Sequence, residues 1–327
     1  MTERISVLGS GRMGEGIALA YMLAGRDVVM VDFKKRDSDA REVYYAAIVD
    51  RLREELAYLE DRRIVGSGDI DIIMSRLSLV RHNQKDLVWD DIKLAFEALP
   101  EVKEIKSEAL GWASRHFSDD TVIASTTSTF LVTELAEMVS RPERFMNAHW
   151  LNPAHLMPLV EVSKGAITGK VAIDSLFESL KAIGKVPVLC NASPGYIVPR
   201  LQVLIMNEAA RMVEEGVASA NDIDTAIRTG FGLRYSVLGV LEFIDWGGGD
   251  ILYYASNYLS DALDERFRAP EVIHANMLEE RRGFRDGRGF FDYAGVDLAE
   301  RRRYRSDDFL ERLRLTQLLP VVATPGG

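Results

Sequence analysis

The sequence predicts an α/β fold, a doubly wound parallel sheet with helices on both faces, followed by an all-α domain. Three observations predict it. A glycine-rich turn, Gly9-Ser10-Gly11-Arg12-Met13-Gly14, joins an apolar strand to an apolar helix near the start of the chain. Short apolar runs then alternate with helical stretches as far as Leu189, the mark of a sheet built with crossovers. After Ser193-Pro194-Gly195 the strand signals stop and helical patterns alone continue. The expected domains are residues 1–190 and 191–327, in keeping with a length of 327 residues.

The first strand is Ile5, Val7 and Leu8, and the first helix is Ile17 to Ala24. The G-x-G-x-x-G turn between them has a physical task for each glycine. Gly9 takes the tight turn, Gly11 lets backbone approach a pyrophosphate, and Gly14 lets helix pack on strand. Ser10, Arg12 and Met13 complete the turn, and the helix N-terminus offers free N–H groups to phosphates. The second strand, Val28 to Val31, ends at Asp32, 23 residues after Gly9. A carboxylate there accepts both ribose hydroxyls of NAD, so NAD is the expected cofactor. Lys34-Lys35-Arg36 follows and reads as a solvated loop, because Asp32 would repel the 2′-phosphate of NADP.

A long helix is expected from Asp39 to Glu60, with Val43, Ala47, Leu52, Leu56 and Leu59 near helical spacing. Gly66-Ser67-Gly68 breaks it, and Ile70 to Leu77 reads as a second short helix. These helices are an insertion in an otherwise Rossmann-like order. Leu77 to Val80, Leu94 to Ala98 and Val122 to Ser125 resume the sheet. Val102 to Phe117 is a helix offering Ile105, Leu110 and Trp112 to it. Phe145 to His149 and Leu159 to Val162 are strands flanking Asn152-Pro153, and a helix over 170–183 leads to the last strand, Val186 to Leu189. Helices are expected over 197–216, 219–230 and 250–263, with Gly247-Gly248-Gly249 as a loop.

Composition narrows the function classes. A net charge of −10 argues against nucleic acid and anionic membrane as partners, since phosphate binding needs a basic face. The one cysteine, Cys190, precludes an internal disulfide and fits a reducing compartment. No stretch approaches 18 uninterrupted apolar residues, and no signal segment opens the chain, so a cytoplasmic location is expected. No Cys/His cluster has zinc spacing, and no metal is expected.

Hydride transfer needs a group to manage the substrate proton, and histidine suits that task near neutrality. His82 and His116 lie in polar, exposed-looking stretches, His274 lies among the C-terminal helices, and His155 with His149 makes a poor metal site. His149 ends an apolar strand just before Trp150-Leu151-Asn152-Pro153, where residues of an open sheet face ligands. By position alone a satisfied structural histidine is the commoner outcome. Glu161, inside another apolar strand, would be costly to bury unpaired. A His149–Glu161 pair solves both problems, the carboxylate orienting the imidazole. Ser128, after the strand ending at Ser125, either hydrogen-bonds a substrate oxygen or caps a helix starting near Val132.

These residues resemble the L-3-hydroxyacyl-CoA dehydrogenase family over nearly the whole chain. In that family a serine, a histidine 21 residues later and a glutamate 12 beyond it form the active site, and Ser128, His149 and Glu161 keep those spacings. His149-Trp150-Leu151-Asn152-Pro153 resembles the signature His-Phe-Phe-Asn-Pro, and Glu97-Ala98-Leu99-Pro100-Glu101 resembles Glu-Ala-x-x-Glu. The resemblance implies cofactor-binding roles for Glu101, Lys106, Ser128 and Asn152. It implies that His149 takes the proton of a 3-hydroxyl as hydride passes to NAD, with Glu161 holding His149 and Ser128 binding the reacting oxygen. The substrate implied is an acyl-CoA thioester, and the assembly a homodimer.

Two positions depart from the pattern. The family's Pro-Gly-Phe-x-x-Asn-Arg carries an active-site asparagine, and here Pro199 stands in its place, in Pro194-Gly195-Tyr196-Ile197-Val198-Pro199-Arg200. Asn207, some 12 Å further along a helix, does not replace it. Gly230-Phe231-Gly232-Leu233-Arg234-Tyr235 resembles relatives acting on free hydroxy acids, the gulonate and carnitine dehydrogenases, where Arg234 would grip a substrate carboxylate. Against that, Gly239-Val240-Leu241-Glu242-Phe243-Ile244-Asp245 resembles the acyl-CoA enzymes' Gly-Pro-Phe-Glu-Leu-Leu-Asp. A free-acid dehydrogenase and a catalytically impaired NAD(H)-binding protein are the alternatives.

Overall fold

Short apolar runs alternating with helical stretches set the architecture of the N-terminal half. In the computed structural model, which describes residues 4–84 and 89–321, one eight-stranded sheet carries helices on both faces. Its elements are β1 (Arg4–Leu8), α1 (Arg12–Leu23), β2 (Val28–Asp32), α2 (Ser38–Asp61), α3 (Ile70–Met74), β3 (Leu77–Arg81), β4 (Ile92–Glu97), α4 (Lys103–His116) and β5 (Val122–Ser125). They continue as α5 (Val132–Ala136), β6 (Phe145–Trp150), β7 (Leu159–Lys164), α6 (Lys170–Ala182), β8 (Val186–Asn191) and α7 (Val198–Glu214).

The strand order is β3-β2-β1-β4-β5-β6-β7-β8. Successive residues of one strand serve opposite faces: Val7, Val28 and Met30 join one apolar cluster, and Leu8, Val29 and Val31 the other. Burial on both faces is why the parallel strands read as continuous apolar runs. Strands β3 to β6 are parallel, but β7 runs antiparallel to β6, and β8 is parallel to β7. The expected parallel sheet is thus interrupted once. The eight residues 151–158 that join β6 to β7 are too few for a helical crossover, so the chain turns straight back.

Strand order reverses between β1 and β4, which opens a crevice at the carboxyl ends of the strands. Gly9, Asp32, Glu97, Ser125 and His149 all lie at or next to those ends.

Some helical expectations shift. In α2 the buried stripe is Ile48, Leu52, Leu56 and Leu59, while Val43 is 71% exposed. Asp37 caps that helix, its side chain accepting from Ala40 N at 2.8 Å. In α4 Ile105 points outward and Lys106, Ala109, Leu110, Trp112 and Ala113 point inward. Helix α3 stops at Met74 because Leu77 pairs with Val28 in the sheet.

The chain divides into two compact units, Met1–Met206 and Asn207–Gly327, and α7 runs through the division. The expected boundary after residue 190 lies ahead of that helix, at the end of β8. In the second unit α8 (Ala220–Ala226) passes through a π-helical stretch, Ile227–Gly232, into α9 (Leu233–Tyr235). Then come α10 (Val240–Gly247), α11 (Gly249–Ala262), α12 (Glu271–Leu278) and α13 (Leu298–Leu315). The expected glycine loop is a single-residue joint, Gly248 at φ +103° between α10 and α11. Buried carboxylates organise this unit. Asp245 accepts from Phe290 N, Phe291 N and Tyr293 Oη, each at 3.0 Å, and Glu242 pairs with Arg301 and Arg305. No helix among the described residues is long and apolar enough to cross a membrane.

Candidate active site

The glycine turn leaves β1 through Gly9 at φ +112°, and Gly9 N donates to Val31 O at 2.9 Å. A Cβ on Gly14 would collide with the Gly9 carbonyl, whereas one on Gly11 would meet nothing within 4 Å. The backbone is therefore closed where helix meets strand and open where a diphosphate approaches. No side chain caps the N-terminus of α1, which keeps its first N–H groups available to phosphate oxygens. Ser10 is buried, and Tyr44 of α2 donates its hydroxyl to Ser10 O at 2.7 Å. Arg12 is exposed and Met13 half-buried. Asp32 is buried at the end of β2. Turn, helix terminus and carboxylate together fit a dinucleotide of the NAD type.

The basic run after Asp32 is not uniformly solvated. Lys34 and Lys35 are exposed, but Arg36 pairs with Asp32 and lies 3.7 Å over the Tyr44 ring. Lys34 N donates to the other Asp32 oxygen at 3.0 Å. His82 and His116 are also less polar in setting than expected: His82 stacks on Phe33 at 5.1 Å, and His116 on Trp112 at 4.4 Å.

At the ends of β4 and β5 a buried ionic cluster shapes the next part of the crevice. Lys106 Nζ, fully enclosed, lies 2.9 Å from Glu97 Oε2 and 3.4 Å from Glu101 Oε2. Glu97 also accepts from Leu99 N at 2.7 Å and from the Ser125 hydroxyl. Glu101 in turn accepts from Ser128 N at 2.7 Å, Ser128 Oγ at 3.2 Å and Thr127 Oγ1 at 2.8 Å. Burial pushes its carboxyl up, but these donors and the Lys106 charge outweigh that and hold it below the usual carboxylate range. Ser128 does not cap α5, whose N-cap is Leu131; its exposed hydroxyl is tied to Glu101 instead.

His149 and Glu161 are directly opposed in the β6–β7 register. His149 Nδ1 lies 2.8 Å from Glu161 Oε2. Glu161 Oε1 accepts from Ile197 N and Val198 N, each at 2.8 Å, at the start of α7. With both backbone bonds already accepted, the carboxylate also accepts from Nδ1–H, which leaves Nε2 with its lone pair. The Tyr196 ring stacks on the imidazole, centroids 5.3 Å apart and planes 6° from parallel.

Asn152 is exposed on the turn after β6 and lines a cleft of about 210 Å³ with Arg12, Gly16 and His155. Lys185 pins that turn, its ammonium donating to the carbonyls of Ala154, His155 and Met157 at 2.7, 3.1 and 2.9 Å. Burial lowers the Lys185 pKa. Pro199 sits in the first turn of α7, where its missing N–H costs no helical bond. Arg234, in the second unit, is exposed, with its guanidinium 4.7 Å over the Phe243 ring.

The sequence alone assigned no role of their own to Glu97, Lys185 and Tyr196, and misplaced Arg36. Glu97 carried the signal that singled out Glu161, a lone acid in an apolar strand. Tyr196 carried one in its departure from the phenylalanine of the Pro-Gly-Phe motif, and Lys185 had none, because its partners are carbonyls distant along the chain.

Comparison with known proteins shows the family of the chain. The family model of the 3-hydroxyacyl-CoA dehydrogenase NAD binding domain matches residues 4–193, and that of the 3-hydroxyacyl-CoA dehydrogenase C-terminal domain matches residues 195–293. The mitochondrial hydroxyacyl-coenzyme A dehydrogenase of Sus scrofa is 31% identical over 297 residues, covering 90% of this chain and 92% of that protein. The 5-formyl-3-hydroxy-2-methylpyridine 4-carboxylate 5-dehydrogenase of Mesorhizobium japonicum is 28% identical over 297 residues, 90% of this chain and 91% of that one. The crystal structure of a 3-hydroxyacyl-CoA dehydrogenase from Archaeoglobus fulgidus superposes with a TM-score of 0.76 at 29% identity, covering 97% of this chain and all of that one. The chain belongs to the 3-hydroxyacyl-CoA dehydrogenase family, as an NAD-dependent dehydrogenase acting on a CH–OH group.

Proposed function

We propose that this enzyme interconverts a (3S)-3-hydroxyacyl-CoA and its 3-oxoacyl-CoA. The observation that carries the reading is the His149–Glu161 pair at the mouth of the sheet, with Nε2 left free. NAD, when bound, supplies the acceptor for the hydride leaving C3. His149 Nε2 takes the proton of the 3-hydroxyl, and the C–O bond becomes a carbonyl; reduction returns both. Glu161 holds the imidazole in the required tautomer and stabilises the imidazolium. Ser128 Oγ binds the reacting oxygen, oriented by Glu101. Gly9 to Gly14, Asp32, Glu101, Lys106 and Asn152 form the cofactor side, with Lys106 acting through the carboxylates it touches. Residues 1–190 are the cofactor-binding domain of this reading, and 191–327 the substrate and dimerisation domain. The exposed apolar side chains of Leu201, Leu204, Ile205 and Met206 on α7 support a homodimer, and the lone Cys190 a cytoplasmic location.

A second reading has its own support. Arg234 presents an exposed guanidinium, and the Mesorhizobium relative is named for a substrate that bears a carboxylate. In that reading Arg234 grips the carboxylate of a free hydroxy acid. Steady-state rates with a series of 3-oxoacyl-CoA thioesters and with gulonate and carnitine, using NADH or NAD and their phosphorylated forms, separate the two. Turnover of thioesters alone supports the first reading, and turnover of free acids alone overturns it. Turnover of neither leaves an NAD(H)-binding protein.

A further inference from the structure

Tyr196 stands outside every role described so far, yet it touches the His149 ring and the backbone on both sides of Ser128. It is buried and follows Gly195 in a left-handed turn, with φ +75° at the glycine and +45° at the tyrosine. An aromatic residue adopts that conformation only when its surroundings compel it. The turn has two consequences. It folds the ring back over His149, and it aims the next two N–H groups, of Ile197 and Val198, at Glu161.

The hydroxyl makes a separate set of bonds. Tyr196 Oη donates to Thr127 O at 3.0 Å and accepts from Asn147 Nδ2 at 2.9 Å. Asn147 Nδ2 also donates to Phe130 O at 2.9 Å. Thr127 and Phe130 bracket Ser128. The phenol therefore grips the backbone of the Ser128 turn while its ring lies flat on His149. Asn147, in the same strand as His149, closes the loop. Burial pushes the phenol pKa well above its usual value, so it holds its proton and remains a donor. The motif resembling this stretch carries phenylalanine at the position, so the hydroxyl is a feature of this chain.

We infer that Tyr196 is a positioning residue that sets the distance and angle between the His149 imidazole and the Ser128 hydroxyl. The ring fixes the plane of the imidazole, which Glu161 alone leaves free to tilt about one hydrogen bond. The hydroxyl fixes the turn that carries Ser128, which Glu101 holds from the opposite side. A substrate oxygen must meet both groups at once, and near-attack geometry tolerates little misplacement. The inference rests on the proposed roles of His149 and Ser128.

Two variants separate ring from hydroxyl. Tyr196→Phe keeps the stack and removes both bonds of the hydroxyl; its expected result is a kcat about tenfold lower, an effect of lost neutral hydrogen bonds acting on geometry. KM and the NADH Kd, read by fluorescence titration, should stay within about twofold. Tyr196→Leu removes both, and kcat should fall about a hundredfold or more. The kinetics are run on whichever substrate the wild type turns over, so an error in substrate class shows in the wild type and not in the variants. A substrate-free arm uses histidine labelled with ¹³C at Cε1, the His149 signal being assigned by its loss in His149→Gln. In wild type the neighbouring ring shields that signal; Tyr196→Leu should move it downfield, and Tyr196→Phe should keep the shielding but broaden it. A Tyr196→Phe enzyme with wild-type kcat, or a His149 signal unchanged in both variants, overturns the inference. Loss of NADH binding and thermal stability in proportion to kcat also overturns it, since that pattern marks a merely structural role.

Discussion

Replacing Glu161 with glutamine tests the proposed proton-handling geometry most directly. Glu161→Gln keeps size and shape but converts one of two acceptor oxygens into an NH₂ donor. The structure dictates which one. Oε1 faces two backbone donors, Ile197 N and Val198 N, and turning an NH₂ group toward them would forfeit both bonds. Each buried donor left unpaired costs about 1–3 kcal/mol, so the amide carbonyl stays there. The NH₂ then faces His149 Nδ1, now 2.8 Å from a carboxylate oxygen. Nδ1 has to accept, the imidazole proton moves to Nε2, and no lone pair is left for the 3-hydroxyl proton. The loss of a tautomer together with a charge is worth about 4–5.5 kcal/mol of barrier, or ~10³–10⁴ in kcat. The assay is steady-state oxidation and reduction, followed by NADH absorbance, beside an NADH fluorescence titration. NADH affinity should stay within about twofold, because Glu161 lies on the substrate side of the proposed site. A variant that keeps more than a tenth of wild-type kcat would refute the tautomer argument.

Two further outcomes follow from the ion pairs. In Arg36→Ala, Asp32 loses the cation that offsets its charge, so NADPH should bind about tenfold weaker or worse while NADH stays within about threefold; equal changes for both would show that Arg36 does not face the ribose. In the second unit, burial raises the Glu242 carboxyl, but Arg301 and Arg305 pull it net below its usual value. A folded pKa below the unfolded one contributes stability fully above about pH 4.3, lost as pH falls through the folded value. Glu242→Gln should cost about 2 kcal/mol by urea unfolding at neutral pH, with the gap to wild type closing in acid. A gap that does not change with pH would exclude the ion pairs as its source.

The legible parts of this protein are those set by local pattern. Short continuous apolar runs marked the strands because the sheet is buried on both faces, and Gly9 and Gly14 marked the turn because the close approach there tolerates no Cβ. Asp32 and His149 stood out as polar residues ending apolar strands, and Glu161 as an acid inside one. Helix faces were less legible. The α2 stripe begins at Ile48 and excludes Val43, and α4 turns Lys106 inward in place of Ile105. Periodicity states that a helix has a buried face, but Glu97 on the neighbouring strand decided that an ammonium belongs in it.

By itself, then, the sequence determined a dinucleotide turn, a strand succession, a helical second half and which polar residues interrupt the apolar strands. Only the tertiary structure decided the partners. The short β6–β7 connection set the antiparallel register that opposes His149 to Glu161. The left-handed turn at Gly195-Tyr196 brought two N–H groups to that carboxylate and a ring to the imidazole. Arg36 proved to be the counterion of Asp32. Each of these depends on groups brought together by the backbone path. Local propensity acts over a few residues, while a hydrogen bond or ring stack acts over a few ångströms, and only the folded chain converts one distance into the other.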